Sequence, residues 1–150
     1  MDPREDIRKH LKPVTIVAWG IFASLAIYLG LVTALRSARR PFGGFAGDVG
    51  GQPLRLAVFG LAAAVIMLIL VLRHRLFRKG GREDRSAVLA RLQRASLAVL
   101  LLGEIPAVLG LALFLLGGYV ADFYALLIAS LALTFIDFPR QPVWEEWLRG

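Results

Sequence analysis

One ionisable side chain stands where its chemistry would count. Glu104 lies near the middle of ASLAVLLLGEIPAVLGLALFLL (95–116), a run with no other charge. A helix of that length crosses a hydrocarbon core of roughly 30 Å and sets the carboxyl near the midplane, where ionisable groups are costly and mark functional positions. Unpaired and ionised it would be prohibitively expensive there, so the expected form is the neutral acid. Such a group can do two things: fasten helices through a hydrogen bond, or take up and release a proton or cation. Pro106, two residues on, bears on both. Its ring has no N–H and crowds the preceding turn, so the carbonyl of Leu102 should lose its helical partner and the helix should come unhooked beside the acid. Gly103, Ala107 and Gly110 would let a neighbouring backbone come close at the same level. The polar partners on offer from other segments are Ser24, Tyr28, Thr33 and Ser130.

Other site chemistries find no support in the residue pattern. There is no H-E-x-x-H, no Walker A pattern, no G-x-S-x-G and no second acid close to Glu104 in an apolar run. Cysteine is absent, which removes disulfides, thiolate metal sites, cysteine nucleophiles and palmitoylation. His10 and His74 each sit among basic residues at the end of an apolar run, which is not the buried setting of a haem or metal ligand. The reading is a non-enzyme with no cofactor and no metal.

The elements that must position Glu104 follow from hydropathy. Hydrophobic residues make up 57% of the chain and the mean hydropathy is +0.65. Soluble domains carry about 45–50% apolar residues, so the expected solvent is lipid. Four apolar runs, 14–35, 54–72, 95–116 and about 119–136, predict an all-α polytopic membrane protein: a four-transmembrane-helix bundle forming one membrane domain over residues 1–150. The turn after Leu116 is short, so the third and fourth spans form a tight hairpin. In the first span Ala26, Gly30 and Ala34 recur every fourth residue, and Gly60 and Ala64 do so in the second; both are read as close-packing ridges of the bundle.

Charges cluster at the ends of these runs. Residues 2–12 read as a short interfacial helix capped by Asp2, and Pro13 introduces the first span. The glycine-rich segment 36–53 reads as a flexible linker. Asp122 reads as the N-terminal cap of the fourth helix, and Asp137 as a surface partner of Arg140. Trp144 and Trp147 are interfacial anchors. The segment 73–94 is the most basic, with Arg73, Arg75, Arg78, Lys79, Arg82 and Arg85 available to anionic lipid or to a partner. With both termini on its side, that face holds fourteen of the 18 basic residues and the other face holds four. The positive-inside rule therefore places both termini and the 73–94 loop in the cytoplasm, for a multi-pass protein of the cell (inner) membrane. Expected partners are a bilayer with anionic lipids at that face, and other membrane subunits or the chain itself. The net charge of +7 indicates lipid rather than nucleic acid.

A basic cytoplasmic loop followed by a helix with a midplane Glu, six residues before Gly110-Leu111, resembles the membrane-ring c subunit of rotary ATPases. The similarity covers roughly Arg91 to Leu116. It departs from that family in three ways. The second span lacks a run of alternating glycines, Ile105-Pro106 follows the acid where a small residue is usual, and the loop is longer. The resemblance implies that Glu104 corresponds to the ion-carrying carboxylate. Two functions stay open on these grounds. One is a non-catalytic subunit or scaffold in which Glu104 fastens helices. The other is a proton- or cation-handling protein in which Glu104 binds the ion.

Overall fold

A computed structural model describes residues 3–39, 41–46, 51–76 and 85–139. Four helices follow one another: α1 (Pro3–Ala38), α2 (Gly51–Leu76), α3 (Arg85–Gly117) and α4 (Val120–Ile136). The first three are long and apolar enough to cross a membrane, and α4, with 17 residues, is a shorter apolar helix. At 1.5 Å per residue α4 measures roughly 26 Å, a little under a hydrocarbon core. Each predicted span lies inside one helix to within a residue, because long uninterrupted apolar runs leave the backbone no other way to satisfy its polar groups.

α3 is the hub. It packs on α4, α2 and α1, and α1 also touches α4. Core side chains from three helices, among them Val14, Ala18, Ile21, Leu25 and Val32 of α1, Leu100, Ala107 and Phe114 of α3, and Phe123 and Leu127 of α4, form one buried cluster. A smaller cluster of Ala62, Leu113 and Leu126 seats α2. On α1 the buried positions fall three, four or seven residues apart, the helical stripe expected of an element with one protein-facing side.

Several sequence expectations are corrected. Pro13 does not divide an interfacial helix from a span, because α1 runs through it without a break. The small ridges do not pack the bundle: Ala26, Gly30 and Ala34 on α1, and Gly60 and Ala64 on α2, are exposed, and a Cβ added at Gly30 or Gly60 would meet nothing within 4 Å. Spacing of small residues says that a face is smooth; it does not say which way the face turns. The close approach lies on α3 instead. A Cβ on Gly110 would stand 3.0 Å from the Leu126 Cβ and 3.2 Å from the Phe123 Cα, and one on Gly103 would stand 3.6 Å from the Leu133 Cβ. Ala107, between them, is wholly buried. Gly103, Ala107 and Gly110 therefore form the ridge along which α4 lies against α3.

The linker expectation also fails where the segment is described. Residues 41–46 are stitched to the end of α3, with the Phe45 N–H donating to Leu115 O (2.8 Å) and the Ala46 N–H to Leu116 O (3.1 Å). Phe42 packs its ring on Phe114 at 4.9 Å between centroids. Gly44 (φ +86°) is obligatory: a Cβ there would collide with the Leu116 carbonyl. Asp2, Arg78, Lys79, Arg82, Arg140, Trp144 and Trp147 lie outside the described residues.

Candidate functional site: a carboxyl between three helices

α3 carries Glu104 to the level of the middle of α1. There the Ser24 hydroxyl donates to Glu104 Oε1 at 2.5 Å and the Tyr28 hydroxyl donates to the same oxygen at 2.8 Å. Ser24 and Tyr28 lie one helical turn apart on one face of α1, which is why both reach a single acceptor. Ser24 also has a second acceptor, the carbonyl of Ile21 at 2.9 Å, whereas the Tyr28 hydroxyl, which also meets Ser24, donates its proton to Glu104. Of the four polar partners expected, Thr33 is not one: its hydroxyl donates to Leu29 O within α1.

Glu104 is half-buried rather than sealed. Leu101 and Val108, three residues before it and four after, are exposed, so the acid sits at the edge of the face that α3 turns to α1. No donor among the described residues reaches Oε2, and no arginine or lysine among them forms an ion pair with the carboxyl.

The expected unhooking beside the acid is corrected: α3 runs through Pro106 without a break, and the polar contact next to it is one the sequence did not disclose. Pro106 is fully buried, and the next backbone N–H, that of Ala107, donates to Ser130 Oγ on α4 at 2.9 Å. Ser130 is itself fully buried, and its carbonyl accepts from the Thr134 hydroxyl at 2.9 Å. Ser130 was expected as a partner of Glu104; it serves instead as an acceptor for the Ala107 backbone N–H of α3. Within four residues of α3, therefore, Glu104 holds α1 and Ala107 holds α4.

Two further polar contacts tie α2 to α4. Asp122 makes no side-chain cap at the start of α4. It is buried and takes a two-pronged bond from Arg55 of α2, Nε to Oδ2 at 2.5 Å and Nη2 to Oδ1 at 2.8 Å, while the guanidinium lies over the Tyr119 ring at 5.2 Å. The cap reading is overturned because a forked guanidinium satisfies both carboxylate oxygens at once, which one backbone N–H cannot do. At the other end, Asp137 meets Arg73 of α2 at 3.5 Å. Burial pushes the Asp137 carboxyl above its ordinary value, against the smaller downward pull of Arg73. Arg55 and Arg73 stand 18 positions apart, roughly 27 Å along a helix, so the two ion pairs mark the two ends of the apolar slab. Arg73, expected at lipid or a partner, is thus engaged within the chain, and Arg75 is exposed.

Among the described residues no group of three or more histidines, cysteines, aspartates or glutamates could hold a metal ion. Comparison with protein-family models, with curated proteins and with solved structures found no match for this chain.

Proposed function

We propose that the chain is a multi-pass protein of the cell (inner) membrane, four helices with both termini cytoplasmic. In this reading it acts as a non-catalytic subunit or scaffold, and Glu104 is a polar fastener between α1 and α3. One observation carries the reading: a single carboxyl oxygen accepts both hydroxyls that α1 offers at that depth, so the acid has a complete role as an interhelical acceptor inside the chain. Three helices of sufficient length and apolarity support the membrane setting. The charge asymmetry supports the orientation, and the basic segment after α2 supports contact with anionic lipid or a membrane partner.

Ion handling of the c-subunit kind is a second reading, and it too has a specific support. Oε2 has no donor among the described residues and the residue is not sealed, which leaves one oxygen able to carry a proton or meet a cation. The experiment that separates the two is reconstitution of the full chain in liposomes with an internal pH dye, with Glu104→Gln beside it. The fastener reading expects no proton flux above empty liposomes, with the native mass and melting temperature of Glu104→Gln close to those of the parent. Flux that Glu104→Gln abolishes, together with loss of carbodiimide labelling, overturns it in favour of ion handling.

A further inference from the structure

At the end of the bundle opposite the basic 73–94 segment, a concavity of about 770 Å³ opens between the last turns of α1, the 41–46 segment and the first turns of α4. Its size is that of a small-molecule site, for which roughly 300–1,000 Å³ is usual. The walls are built rather than incidental. Phe42 is held by its stack on Phe114 and by the hydrogen bonds that tie the following residues to α3, and Val120 and Tyr124 are fixed by the short α3–α4 hairpin.

The polar groups in the concavity define a ligand. Arg36 supplies a guanidinium with no counter-ion among the described residues, and the Tyr124 hydroxyl has no hydrogen-bond partner among them. The Thr33 and Ser37 hydroxyls have given their protons to Leu29 O and Ala34 O, so toward the site they offer oxygen lone pairs. The site thus presents a cation and a free O–H beside two acceptors, against an aromatic and aliphatic wall. An anion that also bears hydroxyls satisfies both sets, and a planar guanidinium suits the oxygens of a phosphate. The acid nearest in sequence, Asp122, is already held by Arg55, so no carboxylate among the described lining residues is available for the amine of a zwitterionic headgroup.

We propose that this concavity binds the phosphate ester of a polyol, such as a glycerol phosphate headgroup, with Arg36 and Tyr124 on the phosphate and Thr33 and Ser37 on the hydroxyls. Its place at the end of the α1 apolar run puts the headgroup at interfacial depth, with Phe42 and Val120 against the glyceryl and first acyl carbons. The site is independent of Glu104 and of the fastener reading.

The test is native mass spectrometry of the full chain in neutral detergent. It is titrated with phosphatidylglycerol, with phosphatidylcholine of the same acyl chains, and with soluble glycerol 3-phosphate. Phosphatidylglycerol should bind at least about tenfold more tightly than phosphatidylcholine, the scale of one charge-assisted contact. Arg36→Gln, on the exposed side of α1, should erase most of that preference, and Tyr124→Phe should reduce it. Arg39→Gln, an exposed arginine outside the concavity, should leave it unchanged. If the soluble ester binds as tightly as the lipid, the same site takes its polyol phosphate from solution; if the lipid binds more tightly, the source is the bilayer. Equal binding of the two lipids overturns the proposal, as does an Arg39→Gln loss as large as that of Arg36→Gln.

Discussion

Removing the hydroxyls that reach Glu104 one at a time should give unequal losses, and the inequality follows from their surroundings. Interhelical hydrogen bonds in apolar media contribute about 0.6 kcal/mol on average and up to about 1.7 kcal/mol. The Ser24 proton is divided between two acceptors, Glu104 Oε1 and Ile21 O, so Ser24→Ala should fall at the low end, about 0.6 kcal/mol. The Tyr28 proton goes to Glu104 undivided, and Tyr28→Phe should fall near the upper end, about 1.5 kcal/mol. Because both donors share one oxygen, loss of either frees lone-pair capacity for the other, so each single loss is partly compensated and the double variant should cost more than the two single losses combined. Glu104→Gln keeps a carbonyl oxygen at the same position and should cost under about 1 kcal/mol. Glu104→Leu should cost more, because it leaves the Tyr28 hydroxyl without an acceptor, and adding Tyr28→Phe to it should recover stability. The assay is reversible unfolding in mixed micelles, read by helical circular dichroism. A Ser24→Ala loss equal to or above that of Tyr28→Phe would refute the geometry. A loss beyond about 2 kcal/mol for Glu104→Gln would show that the ionised carboxylate, not an acceptor oxygen, is what holds α1.

Three other outcomes follow from the same packing. Gly110→Ala should destabilise the α3–α4 contact, because its Cβ would press on Leu126 and Phe123, whereas Gly30→Ala and Gly60→Ala should be neutral or raise stability by up to about 1 kcal/mol through helix propensity. Thermal unfolding of the three variants in detergent checks this, and a marked loss at Gly30 would mean that its face packs on another molecule. Ser130→Ala should cost about 1 kcal/mol, the net worth of the bond its hydroxyl accepts from the buried Ala107 N–H, and amide hydrogen exchange at Ala107 should rise with it. Asp137→Asn should be neutral or mildly stabilising at pH 7 although it removes an ion pair, because burial holds the carboxyl above its ordinary 3.8. With the folded value raised, the carboxyl's favourable contribution is full below 3.8 and is lost as pH rises through the folded value, so the parent should gain stability relative to Asp137→Asn on acidification. Melting curves of both proteins between pH 4 and 7 read that difference, and the opposite slope would sink the assignment.

How much of this was legible depended on whether the signal was carried by one segment or by two. The helices were legible because each is written in a single uninterrupted apolar run, and the α3–α4 ridge at Gly103, Ala107 and Gly110 because a hairpin with almost no turn leaves α4 nowhere else to lie. Gly118, at φ +71°, makes that reversal possible. The partners of Glu104 were half legible: Ser24 and Tyr28 stand near the centre of the first run as the acid stands near the centre of the third, but which of several hydroxyls faces it depends on helix rotation. Rotation also decided the fate of Ala26, Gly30, Ala34, Gly60 and Ala64, since a smooth face serves equally well turned inward or outward. Arg55 with Asp122 was overlooked, although the topology contained it. Spans two and four run in the same direction, so charges at their starts meet at the same end, and Arg73 with Asp137 repeats the relation at the other end.

In the proposed membrane setting the polar contacts are sorted by depth, and the sorting follows from where water would be. α2 has only 11% of its apolar window buried inside the chain, against 44% for α3, so side-chain packing gives α2 the least hold of the long helices. Its two ion pairs sit at the ends of the slab, where the arginine heads stay partly open to solvent while the carboxylates of Asp122 and Asp137 are largely covered, so the pairs fix the register of α2 on α4 more than they add stability. At the middle, where a guanidinium would be costly, the chain uses hydroxyls on a carboxyl for α1 and a hydroxyl that accepts from a backbone N–H for α4. Glu104 therefore belongs to a pattern in which each helix is joined by the polar chemistry that its depth allows. An acid doing only this can be replaced by an uncharged acceptor, and that is the property that distinguishes a fastener from an ion carrier.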